Sequence, residues 1–449
     1  MLAPCLLATW IAGAPTAPGP SSVEATTSTV TTSGGSTTST VTTTDGLTTG
    51  VRRIEAAPID VGRLLLDAPT VFTELALMPI APLVMGMEKL RIHERLFDLF
   101  TNDERTFGVF PLLDVFDRSG FGAGVAVVHN DPLGSPDRVV VVGMLRQNLD
   151  RSLSLNFSRR IPGLWGQAVS ASAGYSVNRD IDYYGLGPDR VLSDRRALRI
   201  DSLNFTVGLD LPVPRASVWT WDLRLAFRTR HLMSGTARAP SLTPEGDIPL
   251  PPGFGRRLDY PEARLSFEYD SRDAAGRITT GIVAQASGLI TRDVQGGATS
   301  AVGGTAGFTS YFSLLPLNRV LVVSLKAGAM APFVEGDEVP FHSMINLGGN
   351  NVLRGYRGDR FVDRLGWWGT VEYRYYIFEY LGSGYGLSAN LFADVGRVGR
   401  TPKELFDDKP GWSVGFGLRA EHNLFFFGRV GIAYSPEGFR VTVGVGEVP

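Results

Sequence analysis

From Phe107 to the C-terminus the chain alternates apolar and polar side chains with a period of two, and the alternating runs number sixteen. They fall at 107–116, 120–130, 138–148, 151–160, 166–178, 197–211, 216–233, 258–271, 277–291, 300–314, 318–331, 365–378, 385–396, 411–421, 424–434 and 438–446. Connections after even-numbered runs are short, such as Pro212 to Arg215, Leu315 to Leu317 and His422 to Asn423. Several after odd-numbered runs are long, notably Asn178 to Arg196, Ser234 to Arg257 and Pro332 to Arg364. A soluble sandwich has no reason to keep such parity. A barrel that crosses a bilayer has short turns at one rim and long loops at the other.

The identity of the apolar face separates lipid from water. Between Ser217 and Arg230, Trp219, Trp221, Leu223, Leu225 and Phe227 share one face, and Asp222, Arg224, Arg228 and Arg230 share the other. In a soluble protein sixteen such strands would need a second layer to cover them, whereas lipid covers them directly. The expected fold is therefore all-β: a 16-stranded antiparallel transmembrane β-barrel over 107–449, preceded by a short helical or irregular segment.

Composition closes other routes. The 43 Lys and Arg against 45 Asp and Glu leave a net charge of −2, which excludes the basic footprint of a nucleic-acid binder. No apolar run reaches the roughly 18 residues that a membrane helix needs. Residues 1–14 read as a signal peptide around the single cysteine, Cys5, with lipid anchoring at Cys5 as the rival reading. The Ser/Thr-rich tract 15–50 is expected to be a disordered linker. In 51–106 the spacing of Leu83, Met87 and Leu90, then Leu96, Leu99 and Phe100, predicts short amphipathic helices at the periplasmic end of the barrel.

The connection from Pro332 to Arg364 carries Leu353-Arg354-Gly355-Tyr356. Alternation puts Glu372 on one face with Thr370 and Arg374, and Asp394 on one face with Ser388 and Asn390. Both carboxylates then point into the lumen from neighbouring strands. A loop arginine entering that lumen would meet two acceptors, and its planar fork suits carboxylates. Gly355 is expected to give a tight turn and Tyr356 to pack on the wall.

This segment resembles the [V/I/L]-R-G-[F/Y] motif of the BamA/TamA outer-membrane assembly and secretion superfamily, also called the bacterial surface antigen family. Three further stretches resemble family motifs: Gly369-Thr370-Val371-Glu372, Phe392-Ala393-Asp394-Val395-Gly396, and the turn Asp270-Ser271-Arg272-Asp273. The resemblance implies a loop that folds into the lumen with this tetrapeptide at its tip. It also implies residence in the bacterial outer membrane, a place among its lipids, and help to unfolded outer-membrane or secreted proteins that insert or cross. Members that do this carry POTRA modules of βααββ pattern, for which 51–106 is too short and wrongly patterned, so a separate periplasmic partner is expected to supply them. The chain closes on Gly446-Glu447-Val448-Pro449 instead of the family's terminal aromatic, so that signal is expected to be absent or shifted inward to a residue such as Phe439.

Other patterns fail on context. Gly411-Trp412-Ser413-Val414-Gly415 fits a nucleophile elbow, but that elbow needs a strand-to-helix turn and here the alternation continues. Arg357-Gly358-Asp359 matches an adhesion tripeptide but belongs to the lumen loop. Asp407-Asp408 and Glu335 to Glu338 read as solvated charges, and the five histidines lack metal-ligand spacing. No enzyme, cofactor or metal site is expected. The alternative to an assembly protein is a passive porin or solute channel.

Overall fold

The computed structural model describes residues 98–444 apart from 118–119, 135–136, 162–166, 213–217, 237–238, 275–277, 316–318, 380–384, 408 and 423–424. The expected signal peptide, the expected linker and most of the expected helical segment, residues 1–97 together, lie outside the described residues. Among the described residues eighteen strands follow in chain order: β1 (Phe107–Asp117), β2 (Gly120–Asn130), β3 (Asp137–Arg146), β4 (Arg151–Arg160), β5 (Ala168–Tyr183), β6 (Arg196–Pro212), β7 (Trp219–Ser234), β8 (Arg257–Asp270) and β9 (Gly281–Arg292). The rest are β10 (Ser300–Leu315), β11 (Arg319–Ala331), β12 (Ile345–Leu347), β13 (Phe361–Asp363), β14 (Leu365–Glu379), β15 (Tyr385–Gly399), β16 (Gly411–His422), β17 (Phe425–Ser435) and β18 (Gly438–Gly444). Sixteen form one antiparallel meander, and β12 and β13 form a separate small hairpin inside the β11–β14 connection.

Period two is what makes this sheet a membrane wall. Leu223, Leu225 and Phe227 of β7, Leu265 of β8, Phe308 and Phe312 of β10 and Leu325 of β11 are all exposed on the outer face. Arg230, Glu262, Ser324, Thr370, Glu372, Arg374, Asn390, Asp394 and Arg419 are buried on the inner face. Unlike a soluble sheet, whose apolar face is covered, this one buries its charges and exposes its hydrocarbon.

Three local departures from the sequence expectation have identifiable causes. Strand β5 runs on to Tyr183 through a register shift between Asn178 and Ile181, which shortens the expected loop; a bulge accommodates the extra residues that simple alternation cannot. Strand β9 begins at Gly281 rather than 277, because Asp273 accepts hydrogen bonds from the Thr279 and Thr280 backbone N–H groups at 2.9 and 3.2 Å and holds those residues in the turn. The inner wall is also not polar throughout: Phe110, Leu112, Ala126, Val128, Val140, Val142 and Met144 of β1–β3 form a buried apolar cluster with Phe100 against it. Residues 98–100 are helical, and Thr101 bridges to Gly108, so the chain approaches the barrel along β1.

A charge in the middle of the outer belt tests the lipid assignment. Leu225→Arg is expected to destabilise the barrel by about 2 to 4 kcal/mol, the cost of an arginine near the bilayer midplane. The measurement is urea unfolding in lipid vesicles, with the inner-face change Ser266→Arg expected to cost much less.

Candidate functional site

The connection between β11 and β14 folds into the barrel, and Arg354 near its tip is only 1% exposed. Its guanidinium Nη2 donates to Asp394 Oδ1 at 2.8 Å and its Nε to Asp394 Oδ2 at 3.0 Å, a bidentate fork. Nη1 donates to Glu372 Oε2 at 3.1 Å, and the Arg354 backbone N–H adds a further bond to Asp394 Oδ2 at 2.9 Å. The guanidinium lies 3.4 Å from the centroid of the Phe392 ring, so one face of the cation is covered by an aromatic.

The two acceptors stand on neighbouring strands, β14 and β15, at positions that alternation turns inward. Each has further donors. Asp394 also accepts from Thr370 Oγ1 at 2.9 Å and Ser413 Oγ at 3.1 Å. Glu372 Oε1 accepts from Arg374 Nε at 2.9 Å and Arg419 Nη1 at 3.5 Å, and Arg419 Nε donates to Glu421 at 2.7 Å. Arg374 and Arg419 are the partners that the sequence reading missed. Arg374 was already counted on the inward face with Glu372, and Arg419 shares its strand face with Glu421, so the same alternation marks both.

The remaining tetrapeptide residues hold the loop in shape. Leu353, fully buried, adopts the left-handed conformation with φ of 47°, a strained state for a branched side chain. The Leu353 carbonyl accepts from the Tyr356 backbone N–H at 2.9 Å, which closes a turn with Arg354 and Gly355 at its centre, and a Cβ at Gly355 would lie 2.8 Å from both the Ser413 and Ser435 Cβ atoms. Its glycine allows the loop to touch the wall. Tyr356 is buried, edge-on to Phe361 at 5.1 Å.

The wall also grips the loop by its carbonyls. Arg440 of β18 donates to the Gly349 and Arg354 carbonyls at 2.8 and 3.1 Å, Arg429 of β17 donates to the Asn350 carbonyl at 3.1 Å, and Ser435 Oγ to that of Gly355 at 3.0 Å. Outside the tip, Arg360 pairs with Glu437 at 2.6 Å and also reaches the Arg190 carbonyl, while Gly187 N–H donates to the Val362 carbonyl at 2.9 Å. The β5–β6 and β7–β8 connections join the loop in one apolar cluster that includes Leu242, Ile248, Phe341, Leu347 and Tyr356.

The turn triplet Asp270, Arg272 and Asp273 belongs to a different place, the short β8–β9 connection. Arg272 forks onto Asp270 at 2.9 and 2.6 Å, and Asp273 caps the Thr279 and Thr280 backbone, so its work is to shape the hairpin.

An inward loop locked by a buried ion-pair network inside a barrel with an apolar belt defines an outer-membrane barrel protein of the inward-loop kind. The Omp85 superfamily domain matches residues 132–436, so the chain belongs to the Omp85 superfamily and is a protein of the bacterial outer membrane. Among solved structures it resembles BamA from Haemophilus ducreyi lacking POTRA domains 1–3, at 14% identity and TM-score 0.53, over 76% of this chain and 70% of that one. It also resembles CdiB from Escherichia coli, at 14% identity and TM-score 0.50, over 75% of this chain and 61% of that one. No curated protein sequence matches it.

Two outcomes are expected at this site. Arg354→Ala leaves two buried carboxylates short of a cation and should destabilise the barrel by about 3 to 5 kcal/mol, with Arg354→Lys restoring only part because the fork is lost. Urea unfolding of both variants, with Asp394→Ala to complete a double-mutant cycle, measures this. His342, in the same loop, has its ring 4.6 Å from that of Tyr260, and its buried Nε2 finds no hydrogen-bond partner among the described residues. Burial, with Arg230 and Arg228 nearby, holds its pKa well below the usual imidazole range. The unfolded chain therefore takes up a proton near pH 6.5 that the folded one refuses, so stability should fall as the pH drops through about 6.5. The unfolding midpoint between pH 8 and 5.5 reads this, and His342→Phe should flatten the slope.

Proposed function

We propose that the protein assists the insertion or translocation of proteins at the outer membrane, with client strands engaging the seam between β1 and β18. One observation carries the reading: the inward loop is fastened to β14–β18 by the Arg354 network and the arginines around it. The β18 side of the seam is thus braced from within. Strand β1 contains Pro111, which lacks a backbone N–H and is tolerated where a strand is an edge. The fold shared with BamA and CdiB supports the same reading.

Lipids are the alternative client, and a separate periplasmic protein would supply client capture. The reading assigns no catalysis: Ser413 spends its hydroxyl on Asp394 and serves the loop. A passive solute channel is less well supported, because the long connections pack over the lumen around Leu347 and Tyr356.

The test is to staple the seam. Cysteine pairs scanned along 107–112 of β1 and 439–443 of β18, in a Cys5→Ser background, are oxidised in proteoliposomes, and insertion of an unfolded barrel client is followed by protease resistance. Insertion should stop on oxidation and return on reduction. A stapled protein that inserts clients at the unstapled rate, or one whose only activity is solute conductance unaffected by the staple, would remove the proposal.

A further inference from the structure

The lipid-facing wall is not evenly filled. Around most of the barrel its outward positions carry Leu, Phe, Val or Trp, but on β9, β10 and β11 two adjacent rows of paired residues are small. One row is Gly288, Gly304 and Ala329; the next is Ala286, Ala306 and Ala327. The rows continue into large side chains at both ends: Leu265 and Phe267 of β8 on one side, Leu365 and Trp367 of β14 on the other. The result is a trough of about 860 Å³ in the outer wall, bounded by Trp221 beyond Phe267 and by Leu405 and Phe406 beyond Trp367.

Two features show that the trough is built rather than left over. At Gly304 an added Cβ would meet the Ser287 carbonyl oxygen at 1.9 Å, so packing demands glycine there, but at Gly288 the nearest neighbour, the Gly303 carbonyl oxygen, lies at 3.8 Å, so packing leaves room for a side chain that the sequence does not supply. Glycine and alanine are poor strand formers, and their use on an exposed strand face gives up both propensity and contact area. The loop between β15 and β16 is also held over one end. Trp367 Nε1 donates to the Leu405 carbonyl at 3.3 Å and Arg397 Nε to the Glu404 carbonyl at 2.6 Å, which leaves Phe406 75% exposed at the trough's edge.

We propose that this trough seats one hydrocarbon chain of a bilayer lipid, entering from the long-loop rim beneath Phe406. Apart from the end beneath the β15–β16 loop, the trough borders the belt that already faces lipid, at Leu265, Phe308 and Leu325. From Trp221 to Trp367 a row crosses six strands, a path of about 24 Å at strand spacing, and tilted strands carry such a row diagonally through the membrane. A second copy of this chain suits the trough poorly: a two-fold interface would set hollow against hollow and leave a void. A flexible chain fills a shallow hollow without needing a matching bulge. In strand order the trough lies half-way round from β1 and β18, so the seat is independent of the client reading.

The protein is reconstituted in phosphatidylcholine vesicles doped with a phospholipid that carries a diazirine in its acyl chain, irradiated, and mapped by peptide mass spectrometry. Label should concentrate in peptides covering 281–331 relative to those covering β2–β5. The filled variant Ala286→Leu/Ala306→Leu/Ala327→Leu should lose that concentration while keeping its heat-modifiable folded band. Phe406→Ala, which leaves the wall untouched, should lower it and keeps the test decisive if the triple variant does not fold. Even labelling around the barrel, undiminished labelling in the filled or Phe406→Ala variants, or a chemically cross-linked dimer that the filled variant abolishes would each overturn the proposal.

Discussion

Everything at the inner end of this barrel depends on the burial of one guanidinium. Removing Arg354 from water costs several kcal/mol, a cost offset only where acceptors already stand in place. Asp394 and Glu372 provide them, and those carboxylates are themselves held by Thr370, Ser413, Arg374 and Arg419. Among the described residues the cluster sets three cations, Arg354, Arg374 and Arg419, against three carboxylates, Glu372, Asp394 and Glu421. A loop displaced by a few ångströms would put an uncompensated cation beside neutral wall, so the network fixes the loop's position as well as contributing stability. Glycine at 355 and the strained Leu353 follow from that position, because the chain must bend sharply and then lie directly on the serines of β16 and β17.

The architecture was legible in the sequence because period two is rigid: a one-residue slip would turn every charge of β7 or β14 into lipid. For the same reason the inward placement of Glu372 and Asp394 could be counted without coordinates. The less legible features arise where neighbouring strands add information that one strand lacks. Alternation puts Arg419 on the inner face, but only the pairing of β15 with β16 sets it beside Glu372. The bulge in β5 breaks the period locally, and the apolar inner wall of β1–β3 has hydrocarbon on both faces, which alternation alone cannot assign to a side. The trough is the extreme case. Each of β9, β10 and β11 contributes an unremarkable pair of small residues, and the hollow exists only because their registers bring the pairs into line.

The fastening of the loop is unequal across the seam, and this has a mechanical consequence. Its named bonds run to β14, β15, β17 and β18 and to the β5–β6 connection. To draw β18 away from the barrel would break the bonds from Arg440 to the Gly349 and Arg354 carbonyls, and so would disturb the backbone of the residue at the centre of the charge network. To draw β1 away breaks neither. Its inner side rests on an apolar cluster whose contacts are non-directional and can slide. Of the two strands at the ends of the sheet, β18 is held from within through two carbonyls of the locked loop, so displacing it would cost bonds that displacing β1 would not.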